Sequence, residues 1–386
     1  MHDAPHAFYR RSAHLVFYWS RGHLVVDNYA TRTRAGAQPI VCEILHFFHD
    51  WRSDRELFAA KPNLDRKMLR QLLSLLVQRS MLHRRSRPES KSERAMASWS
   101  DWNPAAGFFH NTTKDLEYAD LAAIERITRE KSRLISMPPS TKRHAGRSSR
   151  LPPIQAAGEF VDVLMARRTW RRFGKEPITG EAFGTLLALT GGVQSWIAAS
   201  NRQKVALKTS PSGGARHSIE LYALALRVRG VAPGIYHYAA DRHALELIRR
   251  RTESRLVQRY LPTQWWFEPA AALIFFAAVF AREQWRYTHP RAYRAVLIEA
   301  GHLCQTFCLT ATWLGLAPFC SMALADSQIE TDLKVDGIRE SVLYAAGVGS
   351  RPDGLTWKPE WTAGREPPLL TRRTGRNFPG RLPPAR

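Results

Sequence analysis

The sequence predicts an α+β protein of two domains, and three observations carry that expectation. Its 386 residues exceed one small domain, and 44% of them are hydrophobic, enough for a substantial core. Residues 221–226 form a short continuous apolar run that opens out of a polar Pro-Gly loop, the mark of a strand buried on both faces. Residues 293–314 have helical spacing with apolar side chains around nearly the whole circumference, among them Val296, Leu297, Ala300, Leu303, Phe307 and Leu314. Such a helix is either central to a core or a seam between subunits.

Taken in order, residues 1–85 read as a small winged-helix-like module. Residues 15–19 and 23–28 are β-like around an Arg21-Gly22 turn, and Pro39 opens a helix over 40–51 with Val41, Ile44, Leu45 and Phe48 on one face. Ser53 and Glu56 stand at capping-box spacing. A third helix over 64–79 places Met68, Leu72, Leu75 and Leu76 at helical intervals. Three readings stay open for this module: a nucleic-acid face using Arg66, Lys67, Arg70 and Arg79; capture of a peptide along a strand edge; or a structural role with its cations solvated. Nucleic acid is the least favoured of them.

Residues 86–153 read as a linker that includes an aromatic segment, 99–114, and one helix over 115–134. The Pro-, Ser- and Arg-rich stretch 138–153 marks the main boundary. The second domain, 154–365, is expected to hold helices over 160–168 and 180–190, the latter stopped by Gly191-Gly192. It also holds a hairpin of strands 234–238 and 244–248, a buried strand over 270–280 and a last strand over 342–348. Residues 366–386 form a Pro/Arg-rich tail.

The formal charge of +23 favours phosphate groups, acidic peptides or polyanions and says nothing of fold. The four cysteines, Cys42, Cys304, Cys308 and Cys320, make no CxxC pattern. Cys304 and Cys308 share a helix face near His302, so a zinc site is conceivable. Burial as reduced, small hydrophobes is the reading taken, with no metal, and it suits a cytoplasmic location. The N-terminus lacks a secretory apolar core, and the most apolar run, 269–281, is shorter than the ~20 residues of a membrane span.

Two basic stretches carry the chemistry. ARRTWRRF at 166–173 sets Arg167, Arg168 and Arg171 beside Thr169, and guanidinium forks suit phosphate because two parallel hydrogen bonds form at once. In PSGGAR, Pro211 fixes φ, Ser212 offers a hydroxyl, Gly213 and Gly214 let the backbone approach a ligand, and Arg216 adds charge. No P-loop is present and no GxGxxG follows a strand, which disfavours the P-loop and dinucleotide folds.

ARRTWRRF, PSGGARHSIELY, PGIYHY, RYTHPRAYRAVLIEAGHLCQTFCLTATWLGL and AAGVG, in that order, resemble the SagB-type dehydrogenases of the FMN-dependent nitroreductase superfamily, which include azoline oxidases of thiazole- and oxazole-containing peptides. The resemblance covers most of 154–350, and the N-terminal module and FHNTTK also look like the front of such proteins. It implies a nitroreductase-like FMN-binding fold, with a central mixed or antiparallel sheet flanked by helices. By resemblance, Arg167, Arg168, Thr169 and Arg171 hold the FMN phosphate, and Pro211, Ser212, Gly213 and Gly214 lie against the flavin ring. Cys320, Ser321, Met322 and Ala323 bring backbone to the ring's other side. The 293–314 helix matches the dimer helix of a fold whose flavins lie between two subunits.

Azoline oxidases of this type carry a Lys-Tyr pair credited with proton handling, and here the pair reads Arg286-Tyr287. Tyr287 keeps the hydroxyl. Arg286 cannot lose its proton, but it can orient substrate or lower the Tyr287 pKa. His217, His289 and His302 are left unassigned. The implied activity is FMN-dependent oxidation of a ribosomally made peptide, azoline to azole or a related backbone oxidation. The implied partners are a precursor peptide with an acidic leader and other maturation enzymes. An NAD(P)H-dependent nitro- or quinone-type reductase, and a winged-helix regulator with a non-catalytic second domain, are the alternatives.

Overall fold

The computed structural model describes residues 6–136, 138–139, 158–198, 204–250 and 252–352. The expected boundary stretch 138–153 therefore lies almost wholly outside the described residues, and the tail 366–386 lies entirely outside them. Two compact units divide the chain. The first comprises residues 1–114, 280–295 and 338–340, and the second comprises 115–279, 296–337 and 341–386.

In the first unit, β1 (Phe8–Arg11), β2 (Leu15–Ser20), β3 (His23–Asn28) and β4 (Thr33–Gly36) precede α1 (Pro39–Phe47), β5 (Arg52–Ser53), α2 (Asp54–Ala60), α3 (Arg66–Gln78) and β6 (Leu82–Arg84). The β2–β3 hairpin turns at Arg21 and Gly22, both at positive φ, as a tight two-residue turn requires. Ser53 caps α2 through the expected reciprocal pair with Glu56. In α3 the buried residues are Leu69, Leu73 and Leu76, whereas Met68 and Leu75 are exposed. The inner face is thus turned from the one the spacing predicts, because two apolar stripes compete on this helix and the core selects one. Arg66 and Arg70 lie over the ring of Phe58, 5.9 and 5.3 Å from its centroid.

Within the expected linker, Ser90 caps a further helix, α4 (Lys91–Met96), followed by α5 (Ala105–Thr112). The aromatic segment packs on residues 280–293 of the same unit: Trp99 contacts Trp102, His110, Phe280 and Tyr293, and Trp102 Nε1 donates to the Tyr287 carbonyl at 2.9 Å.

The second unit begins with α6 (Leu121–Leu134), α7 (Glu159–Ala166) and α8 (Gly180–Gly191), then a small ribbon of β7 (Ser195–Ala198) and β8 (Lys204–Leu207). Next come β9 (Ile219–Ala225), β10 (Gly234–Ala239), β11 (Ala244–Arg250), α9 (Arg255–Tyr260) and β12 (Ala272–Val279). Residues 280–295 of the first unit hold α10 (Phe280–Gln284) and the start of α11 (Ala292–Trp313), and β13 (Ala317–Ser321), α12 (Asp326–Leu333) and β14 (Glu340–Gly349) are the last described elements. The central sheet has the order β11-β10-β9-β12-β14-β13, antiparallel across β11, β10, β9 and β12 and between β14 and β13. β9 and β12 are buried along nearly their whole lengths, which is why β12 and the part of β9 after Glu220 read as apolar runs. Gly315, at φ +72°, follows α11 as its stop. Along α11, Leu297, Ile298, Gly301, His302 and Gln305 are exposed, so the helix keeps an open stripe beside its buried face.

Candidate functional site

The loop before β9 is locked to one stripe of α11. Glu299, 2% exposed, accepts from the Ser212 hydroxyl at 2.8 Å and from the Ser218 and Ile219 amides at 3.2 and 3.3 Å. His302 Nδ1 stands 3.2 Å from the Pro211 carbonyl, and Thr306 Oγ1 stands 2.7 Å from Ser210 Oγ. Positions 299, 302 and 306 share a helix face, so a single side of α11 holds the whole bend. Burial pushes the Glu299 carboxyl above the usual range, opposed by the Ser212 hydroxyl, the Ile219 and Ser218 amides and the Lys208 charge. The Ser212 oxygen also accepts from the His217 amide at 2.8 Å. Its hydroxyl is therefore engaged inside the loop, and the exposed residues of the bend are Pro211 and Gly214, the latter at φ +55°. Arg216 turns back on the same bend, Nε donating to the Gly214 carbonyl at 3.2 Å.

The arginine segment leaves the end of α7. Arg167 is its C-cap residue, Trp170 is buried, and the Trp170 amide donates to the Pro318 carbonyl of β13 at 2.9 Å. The Arg351 guanidinium lies over the Trp170 ring, 5.4 Å from its centroid. Gly174 is a close approach: a Cβ there would stand 2.7 Å from Ser350 Oγ and 2.9 Å from the Arg351 carbonyl oxygen. Arg168 Nη1 donates to the Met165 and Arg167 carbonyls at 2.8 and 2.7 Å, and burial followed by the Arg167 charge lowers its pKa. Among the described residues no carboxylate pairs with Arg167 or Arg171. The like charge of Arg167 acts on Arg168, and guanidiniums of this kind can hold a phosphate group.

Residues 320–323 lie at the end of β13. Ser321 Oγ donates to Gln264 Oε1 at 2.7 Å and accepts from the Ala323 amide at 3.1 Å, and Gln264 Nε2 donates to the Ala323 carbonyl at 3.0 Å. The Tyr118 hydroxyl donates to the Met322 carbonyl at 3.3 Å, while the Met322 side chain is 71% exposed. β13 thus carries both the contact of the arginine segment, at Pro318, and the 320–323 bend. α11 is common to two of the three segments, since it holds the 210–219 loop and packs its Cys304 and Cys308 beside Cys320. Arg286 and Tyr287 belong to the first unit, where the Arg286 guanidinium sits 5.7 Å from the Tyr287 ring centroid and the Tyr287 amide donates to the Glu283 backbone carbonyl at 3.0 Å.

Glu299, Thr306, Gln264 and Trp170 were absent from the sequence expectation. A signal for two of them existed: Glu299 is the lone carboxylate within an apolar helix, followed at helical spacing by His302 and Thr306.

Residues 164–350 match the family described as "Nitroreductase family". MJ1384 of Methanocaldococcus jannaschii, which carries the nitroreductase name, is 30% identical over 201 residues, 52% of this chain and 95% of that protein. The chain belongs to the nitroreductase family, and residues 164–350 have the nitroreductase fold. The trifolitoxin-processing protein TfxB of Rhizobium leguminosarum bv. trifolii is 32% identical over 143 residues, 36% of this chain and 38% of that protein, so the chain spans well under half of TfxB. Among solved structures, the E. coli microcin synthetase McbBCD complex with truncated pro-MccB17 matches at 18% identity and a TM-score of 0.44, covering 67% of this chain and 94% of that one. Among the described residues no helix is long and apolar enough to cross a membrane.

Proposed function

We propose that this chain is an FMN-dependent dehydrogenase that oxidises a ribosomally made peptide during its maturation. The observation that carries the flavin site is the bond from the Trp170 amide to the Pro318 carbonyl, which sets the arginine segment against the strand that leads into Met322 and Ala323. The likeness to TfxB, a protein named for processing trifolitoxin, supports a peptide as the substrate.

Arg167, Arg168, Thr169 and Arg171 would hold the FMN phosphate, and backbone at Gly213 and Gly214 would lie along the ring, with Pro211, Ser212 and Arg216 shaping the bend. The backbone of Cys320, Ser321, Met322 and Ala323 would approach the opposite side. When bound, FMN supplies the two-electron acceptor that no side chain offers. Glu299 fixes the ring loop from behind and stays out of the chemistry. Tyr287 is the group proposed to move the substrate proton, with Arg286 as a fixed positive charge beside it. Oxidation of one bond removes two electrons and two protons from the peptide. The open stripe of α11, with Leu297 and Ile298 exposed, supports a homodimer with the flavin between subunits. The charge of +23 suits an acidic leader on the precursor, and other maturation enzymes are the further partners.

The test is to incubate FMN-loaded protein with the candidate precursor without oxygen. Loss of the yellow absorbance together with a two-hydrogen mass loss in the peptide is expected. The second reading, an NAD(P)H-dependent nitro- or quinone-type reductase, is favoured by the near-complete coverage of MJ1384. Fast loss of the flavin absorbance with NADPH, and none with peptide, would replace the first reading by the second.

A further inference from the structure

Three thiols meet beside the arginine segment. The Sγ atoms of Cys304, Cys308 and Cys320 all lie within 4.8 Å of one another, and all three cysteines are free. Cys304 and Cys308 are buried one turn apart on α11, and Cys320 reaches them from β13 with its side chain partly open. Among the described residues, no histidine or carboxylate joins the group at that mutual distance. The Arg167 charge acts on both Cys308 and Cys320.

We propose that Cys304, Cys308 and Cys320 form a trigonal thiolate site for one soft monovalent cation, Cu(I). Thiolate ligands select soft ions, and sulfurs about 2.3 Å from a central ion stand roughly 4 Å apart in a plane. The cluster therefore needs a contraction of under ~1 Å to close. With three sulfurs and no fourth side chain, zinc would lack its tetrahedral complement. Binding releases the three thiol protons and leaves a complex of net negative charge, which Arg167 offsets in part. Unlike the backbone role of residues 320–323 toward a flavin, this site uses the side chain of Cys320.

The test is anaerobic titration of the full chain with Cu(I) against a competing chromophoric chelator, followed by X-ray absorption spectroscopy. One Cu(I) per chain, ligated by three sulfurs, is expected. Cys320→Ser should weaken uptake by about 100-fold or more, while Cys42→Ser leaves it unchanged. Circular dichroism of Cys320→Ser separates ligand loss from unfolding, and Cys320→Ala provides a second variant on the more open member of the group. No stoichiometric uptake, uptake indifferent to both Cys320 variants, nitrogen or oxygen in the copper shell, or tighter binding of Zn(II) than of Cu(I) would each overturn the proposal.

Discussion

Two buried glutamates, Glu93 in the first unit and Glu299 in the second, respond to burial in opposite ways. Glu93 of the first unit is 3% exposed and Glu299 of the second is 2% exposed. For both, burial is the largest influence and raises the pKa. At Glu93 the donors outweigh burial and bring the carboxyl down to about 2. Ser12 donates at 2.6 Å, Asn28 and Ser90 at 3.0 Å, and His83 Nε2 stands 3.4 Å away. At Glu299 the donors are one hydroxyl and two longer amide contacts, and burial prevails. Similar burial thus goes with a carboxyl held below the usual range in one unit and one raised above it in the other. The number, length and charge of the donors decide which.

The sharpest break of this contrast is Glu93→Ala, which strands the Ser12 and Asn28 donors in the interior. It should cost about 3 kcal/mol, read as a fall in the urea midpoint at constant slope. Next is Arg167→Ala, which asks whether the second unit spends its electrostatics on a ligand rather than on its fold. FMN affinity should drop roughly 30-fold, about 2 kcal/mol, with little change in the stability of the flavin-free chain. Ser53→Ala should cost about 1 kcal/mol. Ser53–Glu56 has the same spacing as Ser90–Glu93 but its carboxylate is at the surface, so this variant measures what capping alone contributes.

The smallest effect is in pH dependence. Glu93, lowered in the fold, contributes stability present above its unfolded value of about 4.3 and lost as pH falls through about 2. Glu299, raised in the fold, contributes stability present below its unfolded value and lost as pH rises through its folded one. Glu299→Gln should flatten that loss on the less acidic side, changing stability at neutral pH by under about 1 kcal/mol. An unchanged slope for Glu299→Gln would mean that the carboxyl is not raised.

The Ser90–Glu93 pair also shows how legibility failed. Its S-x-x-E spacing is a helix-start signal, yet the surrounding charges read as linker, and only the network with Ser12, Asn28 and His83 from distant positions makes the segment part of the fold. The α3 face was misread for a related reason: Met68 and Leu75 share the helical period, but contact with α1 and the β-strands selected Leu69 and Leu73.

Period, capping and turn chemistry act over a few residues, so the sequence by itself determined the β2–β3 hairpin, the cap of α2, the buried strands β9 and β12 and the long helix α11. The arginine stretch and the Pro-Ser-Gly-Gly bend were also visible there, because their chemistry resides in single side chains and backbone freedom. Only the tertiary structure decided that Glu299 closes the bend, that Pro318 receives the arginine segment and that three cysteines from a helix and a strand share one spot. Those contacts join positions tens to more than a hundred residues apart, and no local period records which of many apolar or polar partners the packed core will bring together.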